Sequence, residues 1–229
     1  MQTDRQLNIS LYKKRILYSF FIILNQKEQK MSEKNGYLCI TYGPMFSGKT
    51  SCLIEDVQNQ NVIQKIKGKK LKGIVVNYEG DDRDIEKAKN LSTHNKNFSS
   101  SPFPKGIQFL KTRLLIHVKE ELEEYDYIAI DEAQFFSDIL PVVLELLEKG
   151  KHIHCVGLIS DRFMKPFGKL IDLFPYADEC NGKKAYCFYC KGAYRNAPFT
   201  KHIGVDDLED QEKVGAEEYV PVCRYHFYS

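Results

Sequence analysis

Residues 37–50, YLCITYGPMFSGKT, constrain this chain more than any other stretch. Apolar residues lead into Gly43, four residues follow, and then come Gly48, Lys49 and Thr50. That is the G-x-x-x-x-G-K-[ST] pattern with a strand ahead of it and a helix behind it. Glycines let the backbone curl until its N–H groups converge on a polyphosphate. Lys49 is placed to neutralise β- and γ-phosphates, Thr50 to reach Mg²⁺ through its hydroxyl, and the following helix to aim its positive end at the same point. A Gly-Lys turn can match by chance, but an apolar strand directly upstream argues for a nucleotide.

The rest of the chain alternates accordingly. Helical spacing of Cys52, Leu53, Ile54 and Val57 predicts a helix to about Lys65, and residues 73–78 read as a buried strand. Residues 79–101 are polar and irregular, as functional or mobile loops are. Residues 107–110 read as a short strand, 112–124 as a helix, and 127–130 as a strand closed by Asp131 and Glu132. An acid at a strand end can cap the next helix. In a chain with a phosphate loop, it is also where Mg²⁺ is organised. Residues 140–147 read as a helix and 152–158 as a strand in which His152 and His154 alternate as edge or face residues rather than ligands. This order predicts an α/β fold, a mainly parallel RecA-like sheet with helices on both faces, and ligands at the strands' carboxyl ends.

After about residue 177 the periodicity weakens and Cys, Tyr, Gly and charges dominate. Cys187 and Cys190 form C-x-x-C, and Cys223 and His226 form C-x-x-H thirty-three residues later. Two such pairs flanking a loop predict a Cys₃His structural zinc site, with Cys180 a poorer-spaced rival. Seven cysteines without a secretory pattern argue against a disulfide framework, and Cys39, Cys52 and Cys155 fall in core patterns.

The expected organisation is residues 1–30 as an extension outside the core, 31–176 as the nucleotide-binding domain and 177–229 as a zinc-binding lasso. The apolar run at 15–24 is too short to span a bilayer, and no small-residue cleavage pattern follows it. A net charge of +2 gives no argument for nucleic acid or membrane partners.

Taken together, these motifs resemble the type II, cytosolic-type thymidine kinases, over residues 37 to the end. GPMFSGKT is similar to that family's phosphate loop, including Pro44, Met45 and Phe46, and DEAQFF to its acidic strand end. Asp81-x-Arg83, STHN at 92–95, PFG at 166–168, APFTKH at 197–202 and GAEEYVPVC at 215–223 also have counterparts in order. The resemblance implies ATP and thymidine as substrates, with deoxyuridine as a possible second acceptor, and Mg²⁺ and structural Zn²⁺ as cofactors. It further implies a cytoplasmic homotetramer acting in DNA precursor salvage.

Site roles follow from the same resemblance. Gly43, Pro44, Met45, Phe46, Ser47, Gly48, Lys49 and Thr50 would cradle the phosphates, with Asp81, Arg83, Asp131, Glu132, Ala133 and Gln134 completing the ATP site. Thr50 and Asp131 would hold magnesium, and Glu132 would take the proton from the nucleoside 5′-hydroxyl. Met45, Phe135, Thr200 and Tyr219 would line the nucleoside pocket. Cys187, Cys190, Cys223 and His226 would bind zinc at the root of the lasso.

The chain departs from the family pattern at four places. Ile159 stands where an Asp is common, Arg162 where an aromatic is usual with Phe163 one place late, His202 where an Arg is usual, and Val214 in a Gly-Gly pair. These departures bear on base specificity and efficiency. Besides thymidine kinase, three other readings stand: a deoxynucleoside kinase of altered base specificity, a nucleic-acid-stimulated P-loop ATPase, and a nucleotide-binding regulator without turnover.

Overall fold

A computed structural model describes residues 36–80, 103–191, 195–204 and 218–229. The expected sites Asp81 and Arg83, the departure at Val214 and the extension at 1–30 lie outside the described residues.

Six strands build one sheet: β1 (Tyr37–Tyr42), β2 (Gly73–Tyr78), β3 (Gln108–Thr112), β4 (Tyr127–Ile130), β5 (His152–Gly157) and β6 (Glu179–Gly182). Their spatial order is β3-β2-β4-β5-β1-β6, and all five neighbouring pairs are parallel. The period-two alternation of each strand splits the core into two layers. Ile128 and Ile130 of β4 face one layer with Ile153, Cys155, Leu38 and Ile40. Tyr127 and Ala129 face the other with Val75 and Val156.

Each layer is closed by a helix whose apolar stripe matches it. Helix α1 (Lys49–Ile66) buries Leu53, Ile54 and Val57 against the second layer. Helix α2 is a single turn (Lys119–Leu122) and α3 runs from Ile139 to Glu148, burying Ile139, Val142, Val143 and Leu146 against the first layer. Pro141 sits in the first turn of α3, where its missing N–H costs no helical bond.

The helix expected over 112–124 is shorter and later. Thr112 ends β3, and its hydroxyl donates to the Leu114 carbonyl at 2.9 Å while accepting the Leu114 N–H at 3.4 Å. That side-chain turn holds Leu114 extended, so helical structure starts as a 3₁₀ turn at Leu115–Val118 before α2.

The sheet also runs past the expected division at 176/177, because β6 pairs with β1. Two small hairpins follow. Strand β7 (Ala185–Tyr186) pairs antiparallel with β8 (Asn196–Ala197), and β9 (Phe199–His202) with β10 (Tyr219–Val222), ahead of the short helix α4 (Arg224–Tyr228). Their core is small: Ala185, Ala197, Val220 and Val222 with Cys187 and Cys223.

Candidate active site

Strand β1 delivers the chain to Gly43, and the loop turns there because nothing larger fits. A Cβ on Gly43 would come within 2.5 Å of the Lys183 carbonyl oxygen and 2.8 Å of Ser47 Oγ. Two residues then take left-handed backbone, Phe46 at φ 61° and Gly48 at φ 78°. Positive φ at a phenylalanine is a strained conformation, of the kind that clusters at ligand sites. Gly48 is the N-cap of α1 and no side chain caps that terminus, so its first N–H groups face the loop. Ser47 Oγ and Lys49 Nζ both donate to the Pro44 carbonyl, each at 2.8 Å, and hold the loop closed.

The acids arrive from the end of β4. Thr50 Oγ1 donates to Asp131 Oδ2 at 3.2 Å, joining the start of α1 to the end of β4. Asp131 is buried, and its other oxygen accepts the Glu132 N–H at 3.0 Å. A hydroxyl and a carboxylate in contact at this place form a donor set suited to a phosphate-bound magnesium. Glu132 itself has φ 50°, a left-handed backbone that turns the chain from β4 into the short 3₁₀ turn at Ala133–Phe135.

Gln134 fixes that carboxylate. Its Nε2 donates to Glu132 Oε2 at 2.7 Å, and its Oε1 accepts the Leu158 N–H at 2.9 Å. Gly157 and Gly168 make room for this clamp: a Cβ on Gly157 would strike the Gln134 amide oxygen, and one on Gly168 the Gln134 carbonyl. The family resemblance implies Gln134 only at the ATP site. Its grip on Glu132 has a signal in the sequence only in the spacing of GL and PFG after β5.

Phe135 stacks on Tyr78, with centroids 5.1 Å apart and planes at 24°, and meets Phe167 edge-on at 5.5 Å. Thr200 of β9 is buried, and its Oγ1 accepts the Met45 N–H at 3.0 Å. Met45 and Thr200 are thus brought together at the loop. Tyr219 is buried on β10, paired in register with His202, whose ring is 5.0 Å away.

The departures are visible too. Arg162 is only 8% exposed while Phe163 is 47% exposed, with the guanidinium 4.8 Å from the Phe163 ring centroid. Asp161 Oδ1 accepts the N–H groups of Phe163 and Lys165, each at 2.8 Å, and so closes the turn that puts the arginine inside. Ile159 packs against the first core layer.

Cys187, Cys190, Cys223 and His226 converge, their ligand atoms all within 4.8 Å of one another. The three Sγ atoms lie 3.4–3.5 Å from His226 Nδ1, and Cys190 and Cys223 are 3.9 Å apart. A tetrahedron with Zn–S bonds of about 2.3 Å has edges of about 3.8 Å, so the donor set fits zinc. Burial opposes ionising Cys187, but backbone N–H bonds and His226 outweigh it and bring the thiol down to about 6. Burial and the two neighbouring thiols push Cys190 up to about 11. Cys180 is exposed on β6 and stands apart from the group.

A phosphate loop leaving β1 into α1, with Thr50 bonded to Asp131 at the end of β4, defines a P-loop nucleotide-binding α/β protein. A family model for thymidine kinase matches residues 36–227. Thymidine kinase 1 of Dictyostelium discoideum is 34% identical over 193 residues, covering 82% of this chain and 76% of the relative. The thymidine kinase of sheeppox virus (strain KS-1) is 32% identical over 189 residues, covering 82% and 95%. That of Choristoneura biennis entomopoxvirus is 31% identical over 188 residues, covering 81% and 92%. The chain belongs to the thymidine kinase family.

Proposed function

We propose that this protein transfers the γ-phosphoryl group of ATP to the 5′-hydroxyl of thymidine. The observation that carries the reading is the contact of Thr50 with Asp131, next to a Glu132 whose carboxylate is gripped by Gln134. Gly43 to Lys49 bind and orient the phosphates, with the N–H groups of α1 adding positive potential. Magnesium, held by Thr50 and Asp131, supplies charge neutralisation on the phosphates when bound. Glu132 Oε1 accepts the proton from the 5′-hydroxyl while Gln134 holds Oε2, so the base is fixed in one orientation. Phosphoryl transfer needs in-line placement more than covalent help, and such fixing provides it.

Phe135, Met45, Thr200 and Tyr219 form the nucleoside side of the site, and Asp81 and Arg83 act beside the transferring phosphate. Zinc at Cys187, Cys190, Cys223 and His226 anchors the two hairpins, which have little core of their own. The working molecule in this reading is a cytoplasmic homotetramer. The buried Arg162 favours a second reading in which the preferred base is not thymine. A panel of deoxynucleosides with γ-labelled ATP and Mg²⁺ separates the two. Thymidine monophosphate as the main product supports the first, and another monophosphate in its place supports the second.

A further inference from the structure

Beneath the phosphate loop lies a buried polar network that the transfer chemistry does not use. Tyr127 OH donates to Asp56 Oδ2 at 2.6 Å, and His154 Nδ1 lies 2.9 Å from the same oxygen. On the other side of the imidazole, Nε2 lies 2.9 Å from Thr41 Oγ1. Thr41, Tyr127 and His154 are at most 2% exposed, and the Asp56 side chain is 28% exposed. A carboxylate can only accept, so Nδ1–H donates to Asp56. In the neutral ring Nε2 then accepts the Thr41 hydroxyl proton.

The network's members come from the elements that carry the site. Thr41 lies on β1, two residues before Gly43. Asp56 lies on α1 seven residues after Lys49, on the same side of the helix. Tyr127 opens β4, whose other end leads to Asp131 and Glu132. His154 is on β5, between β4 and β1, and β5 leads on to Gly157 and Leu158 at the Gln134 clamp.

Around the network, α1 is held by Leu53, Ile54 and Val57, whose apolar contacts are non-directional. Such contacts tolerate a small slide or roll of the helix. Hydrogen bonds do not, since they weaken steeply with misalignment. We propose that Thr41, Asp56, Tyr127 and His154 are positioning residues. Together they set the register of α1 against β4 and β5, and so the placement of Lys49 and Thr50 against Asp131 and Glu132. The turnover arm of this inference rests on the proposed kinase activity, and the ATP-binding arm does not.

The test compares wild type with two variants: Tyr127→Phe, and a fourfold apolar variant carrying Thr41→Val, Asp56→Leu, Tyr127→Phe and His154→Leu. Removing all partners together leaves no buried group unsatisfied, so stability is largely kept. Each protein is measured by thermal melting, by affinity for a fluorescent ATP analogue with Mg²⁺, and by kcat and KM. The fourfold variant is expected to melt near wild type, yet to lose about tenfold in ATP-analogue affinity and in kcat, with thymidine KM unchanged. Tyr127→Phe is expected to fold and to lose about twofold to threefold in the same two quantities. A fourfold variant with wild-type melting, affinity and kcat overturns the proposal. Should that variant fail to fold, unchanged affinity and kcat in Tyr127→Phe overturn it. A wild-type protein that binds the ATP analogue but phosphorylates no nucleoside defeats the kinase reading, and the affinity comparison still decides this one.

Discussion

Thr200 accepts the Met45 backbone N–H at 3.0 Å, so strand β9 is fastened to the phosphate loop across 155 positions of sequence. In the proposed reading, this bond couples the nucleoside side of the site to the phosphate side. Replacing Thr200 by Val keeps the shape and removes the acceptor, leaving a partly buried N–H unpaired at a cost of about 1 kcal/mol. Thymidine KM should rise about fivefold, with a smaller change in ATP KM. Steady-state kinetics with each substrate varied in turn check this, and equal effects on both substrates would speak against it.

Gly168 combines φ 61° with a backbone pressed against the Gln134 carbonyl. Alanine there meets both a conformational penalty and a collision, so Gly168→Ala should lose about 2 kcal/mol or more of stability. The displaced Gln134 should also slacken its hold on Glu132, lowering kcat in the protein that remains folded. Denaturant melts and active-site-normalised kcat measure the two effects separately.

Acid should weaken the fold in two stages. Burial holds His152 below its ordinary range, with Asp56 and Asp178 opposing the shift and His154 adding to it. Its proton therefore favours the unfolded chain. Stability is full above the unfolded pKa of about 6.5 and falls as pH drops from there towards the lower folded value. For Asp56, burial pushes upward, but the bonds from His154 and Tyr127 outweigh it and hold the carboxyl below the usual range. Its contribution is present above about 3.9 and is lost as pH falls through the folded value. Melting temperature against pH should flatten between pH 7 and 5 in His152→Gln, and below pH 4 in Asp56→Asn.

Zinc should stoichiometrically accompany the chain, at about one per molecule. The hairpins β7–β8 and β9–β10 share only a small buried core, Ala185, Ala197, Val220 and Val222 with Cys187 and Cys223, and segments with so little core commonly depend on a bound metal. Chelation should loosen them, seen in the near-ultraviolet circular dichroism of the tyrosines around the site, and should raise thymidine KM more than ATP KM. Purified protein without bound metal, yet with native kinetics, would refute this.

Sequence legibility followed the range of each interaction. Strands β2 and β4 stand at 73–78 and 127–130 as read, because strands buried on both faces appear as unbroken apolar runs. Strand β6 has no such mark: Glu179, Cys180 and Gly182 are exposed on a sheet edge, so its pairing with β1 leaves no hydrophobic pattern. Helical structure starts later than the spacing of Leu114, Leu115 and Val118 predicts, because the side-chain turn at Thr112 overrides it. The phosphate loop and the acid pair are local motifs and announce themselves. The Thr41–His154–Asp56–Tyr127 network does not, since its members lie up to 113 positions apart and no spacing rule connects them.

In the proposed mechanism Glu132, held by Gln134 beside the Thr50–Asp131 contact, draws the proton that lets thymidine take the phosphoryl group. Single-turnover transfer of label from γ-labelled ATP to thymidine, run side by side for wild type and Glu132→Gln, measures it directly. Wild type should label thymidine monophosphate, and Glu132→Gln should be slower by about 10²-fold or more with ATP-analogue affinity and melting temperature preserved. A Glu132→Gln protein that transfers label at the wild-type rate would remove Glu132 from the role of base.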